Sequence, residues 1–137
     1  MKEINREYNK RVLLADDEPY ILRVLKLKLE NAGYEVLTAV NGLDAMEKFV
    51  RDEPALVITD IQMPHMNGLE LCQMMQEQRE KDSFLIIVMT SSVDIAAHVR
   101  DEKMEDLHFV EKPLSPRNIL KIVNEYFSKL QDANVKL

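Results

Sequence analysis

The sequence has 137 residues, of which 46% are hydrophobic and 31% charged, and its formal net charge at pH 7 is −6. This length suits one globular domain with a core of its own, and this composition excludes an intrinsically disordered chain. The acidic balance disfavours direct nucleic-acid binding by this domain, because its surface would repel phosphates.

Apolar runs alternate with helical patterns along the chain. In the first half, strands are predicted over 12–15, 34–39 and 55–60. The first helix begins at Pro19, with Asp17 or Glu18 as its N-cap, and ends at Gly33. The second helix is predicted over 43–51.

In the second half, a loop over 61–67 precedes a helix from Gly68 to about residue 81. A strand over 84–89, a weakly amphipathic helix over about 94–105 and a strand over 107–110 follow. Ser115 and Pro116 are a cap and first-turn signal for a last helix. We expect a polar tail over 1–10, one domain over 11–131, and a C-terminal tail or the start of a linker over 132–137.

The five predicted strands are continuous apolar runs rather than alternating ones. Such strands are buried on both faces, which indicates a parallel sheet covered by helices on both sides. Right-handed crossovers then give an α/β, doubly wound open sheet, in which ligands bind beyond the carboxyl ends of the strands.

Polar residues stand at those carboxyl ends. Asp16 and Asp17 follow the first strand, Asp60 ends the third, Thr90 follows the fourth, and Lys112 follows the fifth. Three neighbouring carboxylates repel one another unless positive charge joins them. One lysine and one divalent cation would balance them, and oxygen ligands without a histidine or cysteine cluster favour Mg²⁺. A carboxylate, a cation, a lysine and a hydroxyl together suit phosphoryl transfer to an aspartate.

Four stretches in order make the pattern specific: 12–18 (VLLADDE), 60–68 (DIQMPHMNG), 88–91 (VMTS) and 109–114 (FVEKPL). Over 11–130 the chain resembles the receiver domain of response regulators in two-component signal transduction. The resemblance implies a flavodoxin-like, five-stranded sheet of order 2-1-3-4-5 with five flanking helices.

The resemblance also implies a metal set and a phosphorylation site. Asp60 would be the phosphoacceptor and, with Asp17, a direct Mg²⁺ ligand. Asp16 would assist, often through water, and the main-chain carbonyl of Gln62 would be the third protein ligand.

The remaining implied roles concern the switch. Thr90 would hydrogen-bond a phosphoryl oxygen and Lys112 would pair with another. The bond between Lys112 and Pro113 is expected to be cis, and the rotamer of Phe109 would report the state of Thr90.

These roles imply partners. A sensor histidine kinase or phosphotransfer protein would supply the phosphoryl group. The face formed by the fourth helix, fifth strand and fifth helix would then switch toward a downstream effector, a fused output domain or a phosphorylation-dependent dimer. Such a domain catalyses only its own phosphorylation and dephosphorylation, so we do not class it as an enzyme. The sequence leaves open whether the chain stands alone or is part of a longer regulator.

Simpler interpretations exist for single residues. Asp16 and Asp17 could merely cap a helix, Phe109 could be an ordinary core aromatic, and Cys72 is expected to be a buried apolar residue rather than a reactive thiol. The three histidines are scattered and suggest no site. With one cysteine, no secretory signal and no apolar run long enough to cross a bilayer, we expect the chain to lie in the cytoplasm.

The whole site has three alternative interpretations. A haloacid-dehalogenase-type aspartyl phosphatase would need an acid two residues after Asp60, where Gln62 stands. A flavin-binding module would need a hydroxyl- and glycine-rich loop after the first strand, where the acids would repel a phosphate. A degenerate receiver that only binds partners is disfavoured by the complete set of acids, Thr90 and Lys112.

Two positions depart from the family pattern. Asn67 replaces the usual aspartate before Gly68, and because asparagine also caps helices, the turn is expected to survive. Residues 104–106 replace the small pair that usually ends the fourth helix.

Overall fold

The computed structural model describes residues 9–63, 66–80, 83–90, 107–112 and 115–135. These ranges contain five strands: β1 (Arg11–Ala15), β2 (Glu35–Ala39), β3 (Leu56–Asp60), β4 (Leu85–Thr90) and β5 (Leu107–Glu111). They also contain four helices: α1 (Pro19–Asn31), α2 (Gly42–Asp52), α3 (Gly68–Gln78) and α4 (Pro116–Val135). The helix predicted over 94–105, the departure at 104–106, the peptide bond before Pro113, and His65 and His98 lie outside the described residues.

All neighbouring strands are parallel, and their order is β2-β1-β3-β4-β5. This confirms the predicted doubly wound fold. The chain passes from β1 to β2 on one side and then returns to place β3 on the other, so the strand order reverses between β1 and β3. A crevice opens at that point beyond the carboxyl ends, where ligands of such sheets bind.

The sheet separates two apolar layers because successive strand side chains point to opposite faces. Leu14 packs toward α1 and α4, with Leu25 and Phe127 in the same cluster. Leu13 packs toward α2 and α3, with Phe49 and Leu71 in the other. Side chains of β1 and β3 are buried in both layers, which holds the ends of these strands in place.

Cys72 lies in the layer between the sheet and α3 and is fully buried. Burial raises the pKa of its thiol to about 12, because the thiolate would lose its hydration. The expectation of a buried apolar cysteine is therefore confirmed.

Most element boundaries agree with the predictions within one residue. The clearest difference is α3, which ends at Gln78 instead of near residue 81. The next residue, Arg79, is extended and turns its side chain toward the sheet. The contacts that the Arg79 side chain makes with the sheet favour this extended position and thus the early end of the helix.

Arg79 joins the amino-terminal ends of two strands. Its Nη1 donates to the carbonyl of Pro54 at 2.6 Å, and its Nη2 donates to that of Ser83 at 3.3 Å. The guanidinium carbon also lies 5.1 and 4.9 Å from two ring centroids, those of Phe49 and Phe84. Burial lowers the pKa of Arg79, yet the two carbonyls and the ring faces favour the charged form. We call this set the Arg79 clamp.

The C-terminal helix is attached through Tyr34, which precedes β2. The Tyr34 hydroxyl donates to Oδ1 of Asn124 at 2.6 Å, and its ring lies 5.1 Å from that of Phe127. The helix continues to Val135, into the segment 132–137 that was expected to be a tail or the start of a linker. Among the described residues, the helices include none with the length and apolarity that a bilayer crossing requires.

Candidate phosphoryl-transfer and metal site

The carboxyl edge of the sheet brings three predicted site residues into direct contact. Lys112 follows β5, and its Nζ lies 3.0 Å from Oδ2 of Asp60, the last residue of β3. The same ammonium lies 3.6 Å from Oδ2 of Asp16, which follows β1. The lysine therefore bridges two carboxylates from the strands that flank the crevice.

Three carboxylates form a compact acidic cluster at this edge. Asp16, Asp17 and Asp60 each offer an oxygen, and these oxygens all lie within 4.8 Å of one another. Asp16 and Asp60 are 1% and 6% exposed, whereas Asp17 is open to solvent. Two buried ligands and one accessible ligand suit a hard cation that keeps water in part of its shell.

Asp16 carries the observation that tests whether a metal fits. Its Oδ1 accepts the main-chain N–H of Glu18 at 2.9 Å. Its Oδ2 is buried and, within the described part of the chain, has no hydrogen-bond partner. The Lys112 ammonium, 3.6 Å away, supplies charge but no hydrogen bond to this oxygen. A buried carboxylate oxygen without a hydrogen bond is costly, and a divalent cation among the three acids would bind it directly.

Burial and neighbouring charges both shift the pKa values of Asp16 and Lys112. Desolvation raises the pKa of Asp16, although the Glu18 N–H and the charge of Lys112 act against this rise. For Lys112, burial alone would lower the pKa, but the hydrogen bond to Asp60 and the nearby acids raise it overall. Lys112 is therefore held as an ammonium, the form that can neutralise phosphoryl oxygens.

The loop after Asp60 is fixed by its backbone. Oδ1 of Asp60 accepts the N–H of Gln62 at 3.3 Å, and the N–H of Gly68 donates to the carbonyl of Ile61 at 2.7 Å. An added Cβ at Gly68 would lie 2.2 Å from the Asp60 carbonyl oxygen. Glycine is required here because the start of α3 rests on the backbone of the predicted phosphoacceptor.

Asn67 performs the expected capping role. Its Oδ1 accepts from the N–H groups of Leu69 and Glu70, both at 2.9 Å, and it is the N-cap of α3. The prediction that the turn survives the change from aspartate is confirmed.

Thr90 and Phe109 lie on adjacent strands. Thr90 is 3% exposed at the end of β4, and its carbonyl accepts the N–H of Lys112 at 2.9 Å. Phe109 pairs in register with Val88 and is half-buried against the layer that contains α2 and α3. Thr90 thus stands at the predicted edge, and Phe109 contacts the core two positions farther back along the paired strands.

One residue of the site, Glu18, was not predicted to take part in it. The sequence marks Glu18 as a possible helix cap and as one of the acids after the first strand, yet its Oε1 lies 3.8 Å from Nζ of Lys112. It is the N-cap residue of α1, but its side chain makes no capping hydrogen bond. The signal available in the sequence was the run of three consecutive acids that begins at Asp16.

Fold and site together define a class, the flavodoxin-like α/β domains with an acidic cluster at the strand-order reversal. The family model for the response regulator receiver domain matches residues 12–124. The chain belongs to this family, and it is a receiver domain of the two-component type.

Curated relatives agree with this membership. The chain is 36% identical over 117 residues to the probable transcriptional regulator ycf27 of Cyanophora paradoxa, covering 85% of this chain and 46% of the relative. It is 32% identical over 111 residues to the alkaline phosphatase synthesis transcriptional regulatory protein PhoP of Bacillus subtilis, covering 81% and 45%. The chain therefore spans a little under half the length of these relatives.

Solved structures show the same fold. A CheY-like receiver domain protein of Methanospirillum hungatei superposes with a TM-score of 0.79 at 26% identity, covering 92% of this chain and 99% of that one. The response regulator TrrA of Thermotoga maritima, solved in complex with Mg²⁺ and BeF, gives a TM-score of 0.73 at 31% identity, covering 84% and 96%. One member of the family has thus been solved with Mg²⁺. In this chain the carboxylates of Asp16, Asp17 and Asp60 lie close enough together to hold a metal ion.

Proposed function

We propose that this domain accepts a phosphoryl group on Asp60 from the phosphohistidine of a sensor histidine kinase or phosphotransfer protein. The observation that carries the proposal is the placement of the Asp60 carboxylate. It is held 3.0 Å from the Lys112 ammonium and within 4.8 Å of two other carboxylates, one of which has a buried oxygen without a hydrogen bond in the described structure.

In this mechanism an oxygen of Asp60 attacks phosphorus, the phosphorus–nitrogen bond of the donor breaks, and the histidine leaves. Lys112 pairs with a transferring oxygen, and the hydroxyl of Thr90 donates to another. Asp16, Asp17, Asp60 and the Gln62 carbonyl would hold Mg²⁺, which supplies further positive charge to the phosphoryl oxygens when bound. Because the Lys112 ammonium already lies 3.0 Å from the Asp60 carboxylate, little rearrangement precedes transfer.

The output follows from the same contacts. Once phosphoryl oxygens draw Thr90 toward Asp60, the space beside it changes, and Phe109 on the neighbouring strand can adopt a different rotamer. This shifts the conformational equilibrium of the surface formed by β5, by α4 (the last helix of the chain) and by the helix predicted over 94–105.

The matched relatives are transcriptional regulators about twice as long. We therefore propose 11–131 as the receiver unit, 1–10 and 132–137 as flanking segments, and a fused output domain, effector or phosphorylation-dependent dimer as its target in the cytoplasm.

A mass measurement tests this proposal. The chain is incubated with Mg²⁺ and acetyl phosphate and weighed intact, beside Asp60→Asn and beside a sample in which EDTA replaces Mg²⁺. Asp132→Asn, the same change at an exposed carboxylate of α4, is the matched control. We expect one added phosphoryl group in the wild type and the control, and none in the other two samples.

Two outcomes would contradict the proposal. A phosphoryl group on Asp60→Asn would place the acceptor elsewhere. No gain from acetyl phosphate or from a phosphorylated histidine kinase, while Mg²⁺ still raises the melting temperature, would indicate a receiver that only binds partners.

A further inference from the structure

Glu18 stands at the rim of the site with its side chain turned toward the chemistry. Its carboxylate approaches Lys112 to 3.8 Å, and its side chain is 59% exposed, whereas that of Lys112 is only 17% exposed. As the N-cap residue of α1 it could have accepted a helix N–H, but no such bond is made. The side chain therefore does not cap the start of the helix.

Glu18 changes the charge balance of the site. Asp16, Asp17 and Asp60 with Lys112 leave two formal negative charges, which one divalent cation would cancel. Glu18 adds a third, so the site stays negative after a divalent cation binds. Excess negative charge attracts the cation and repels an approaching anion, and the exposed position of Glu18 puts this charge on the solvent side.

We propose that Glu18 selects among phosphodonors by charge: it strengthens Mg²⁺ binding while opposing small dianionic donors, and so favours a donor presented by a protein. This inference rests on the proposed function. A small donor binds mainly through its phosphoryl charge, which Glu18 opposes. A protein donor adds docking contacts that offset the same repulsion.

Glu18 also acts on the lysine. Lys112 is shared among Asp60 at 3.0 Å, Asp16 at 3.6 Å and Glu18 at 3.8 Å. Phosphoryl oxygens must compete with the Glu18 carboxylate for this ammonium. Because Glu18 is mostly exposed, water can replace it, so the competition slows small donors without blocking transfer.

The substitution that tests this is Glu18→Gln. Glutamine keeps the side-chain shape and the main-chain N–H that bonds Asp16, and removes only the charge. Glu30→Gln, at the far end of the same helix and also exposed, is the matched control. Glu18→Asp retains a carboxylate and should restore much of the wild-type behaviour.

Two measurements are made on the full chain. The first is the Mg²⁺ dissociation constant, from the dependence of melting temperature on Mg²⁺ without donor. The second is the rate constant for phosphorylation at saturating Mg²⁺, with acetyl phosphate and with phosphoramidate, which carries one fewer net negative charge near neutral pH. Removing one charge at the partly exposed rim should weaken Mg²⁺ binding about threefold and raise the rate constant for phosphorylation by acetyl phosphate about threefold. The gain with phosphoramidate should be smaller, and high salt should reduce all three effects.

The opposite signs separate this role from a structural one. A glutamate that merely organised the site would, when replaced, weaken metal binding and slow phosphorylation together, and that result would overturn the inference. No change in either constant would overturn it as well. If the wild type takes no phosphoryl group from either small donor or from a phosphorylated histidine kinase, the proposed function falls, and the donor selectivity falls with it. The Mg²⁺ constants would then still show whether Glu18 attracts the cation.

Discussion

Gly68→Ala should damage both the stability and the chemistry of this domain through one contact. A Cβ at Gly68 would lie 2.2 Å from the carbonyl oxygen of Asp60 and 2.7 Å from Cα of Ile61. Both neighbours are backbone atoms, so no side-chain rotation can relieve the overlap. The start of α3 must move away from β3 by about 1 Å to reach ordinary contact.

The cost follows from two opposing effects. Overpacking against rigid backbone costs about 3 kcal/mol, at the upper end of its usual range. Alanine recovers at most about 1 kcal/mol as a better helix former than glycine. The net loss of about 2 kcal/mol should lower the melting temperature by about 6–10 °C for a domain of this size. Because the movement displaces the acceptor, phosphorylation should slow by about 10- to 100-fold.

Gly33→Ala provides a control with a similar cost and a different cause. Gly33 has a φ of +100° with open space around its Cβ position, so alanine there is strained by backbone conformation and not by contact. It precedes β2 at the end of the sheet where the strands begin, opposite to the carboxyl ends that form the site. The variant should therefore lose about 1–2 kcal/mol and keep the wild-type phosphorylation rate when both are assayed well below their melting temperatures.

Comparison of the two variants separates the effect of lost stability from the effect of displacing Asp60. Melting temperatures are read by circular dichroism, and phosphorylation rates by intact mass with acetyl phosphate and Mg²⁺. A Gly68→Ala protein with the stability and rate of the wild type would refute the close approach between α3 and β3. Equal slowing in both variants would show that lost stability alone, and not displacement of Asp60, reduces the rate.

Three further changes test other contacts. Burial raises the pKa of Asp16 above its ordinary value of 3.8, so its ionised form costs stability as pH rises through the raised pKa. In EDTA, Asp16→Asn should therefore be more stable than the wild type at neutral pH, and this advantage should fade in urea titrations as the pH falls toward the ordinary pKa of an aspartate; a variant less stable at every pH would disprove this. Arg79→Lys should lower the free energy of unfolding by about 1–2 kcal/mol, because lysine cannot reach both carbonyls and both rings of the Arg79 clamp, and should leave the phosphorylation rate unchanged; a slower rate would show that the clamp reaches the site. Tyr34→Phe removes the 2.6 Å bond to Asn124 and should cost about 1 kcal/mol, seen as a lower melting temperature; an unchanged value would mean that water replaces the hydroxyl.

The sequence by itself determined the fold and most residues of the site. Strands buried on both faces must be apolar throughout, so their positions were readable, and polar residues just after them had to meet at one edge of the sheet. Asp16, Asp17, Asp60, Thr90 and Lys112 were found in this way. The cap at Asn67 was also predictable, because capping depends on residues only two or three positions apart.

The tertiary structure alone decided which atoms meet. Lys112 and Asp60 are 52 residues apart, and their 3.0 Å contact depends on the packing of β3, β4 and β5 side by side. The early end of α3 depends on carbonyls and rings that Arg79 reaches only in the folded chain. The unbonded oxygen of Asp16 and the approach of Glu18 to Lys112 are likewise distances between separate segments. Local patterns specify elements and their ends, whereas the electrostatics of the site depends on separations of a few ångströms that only the packed layers set.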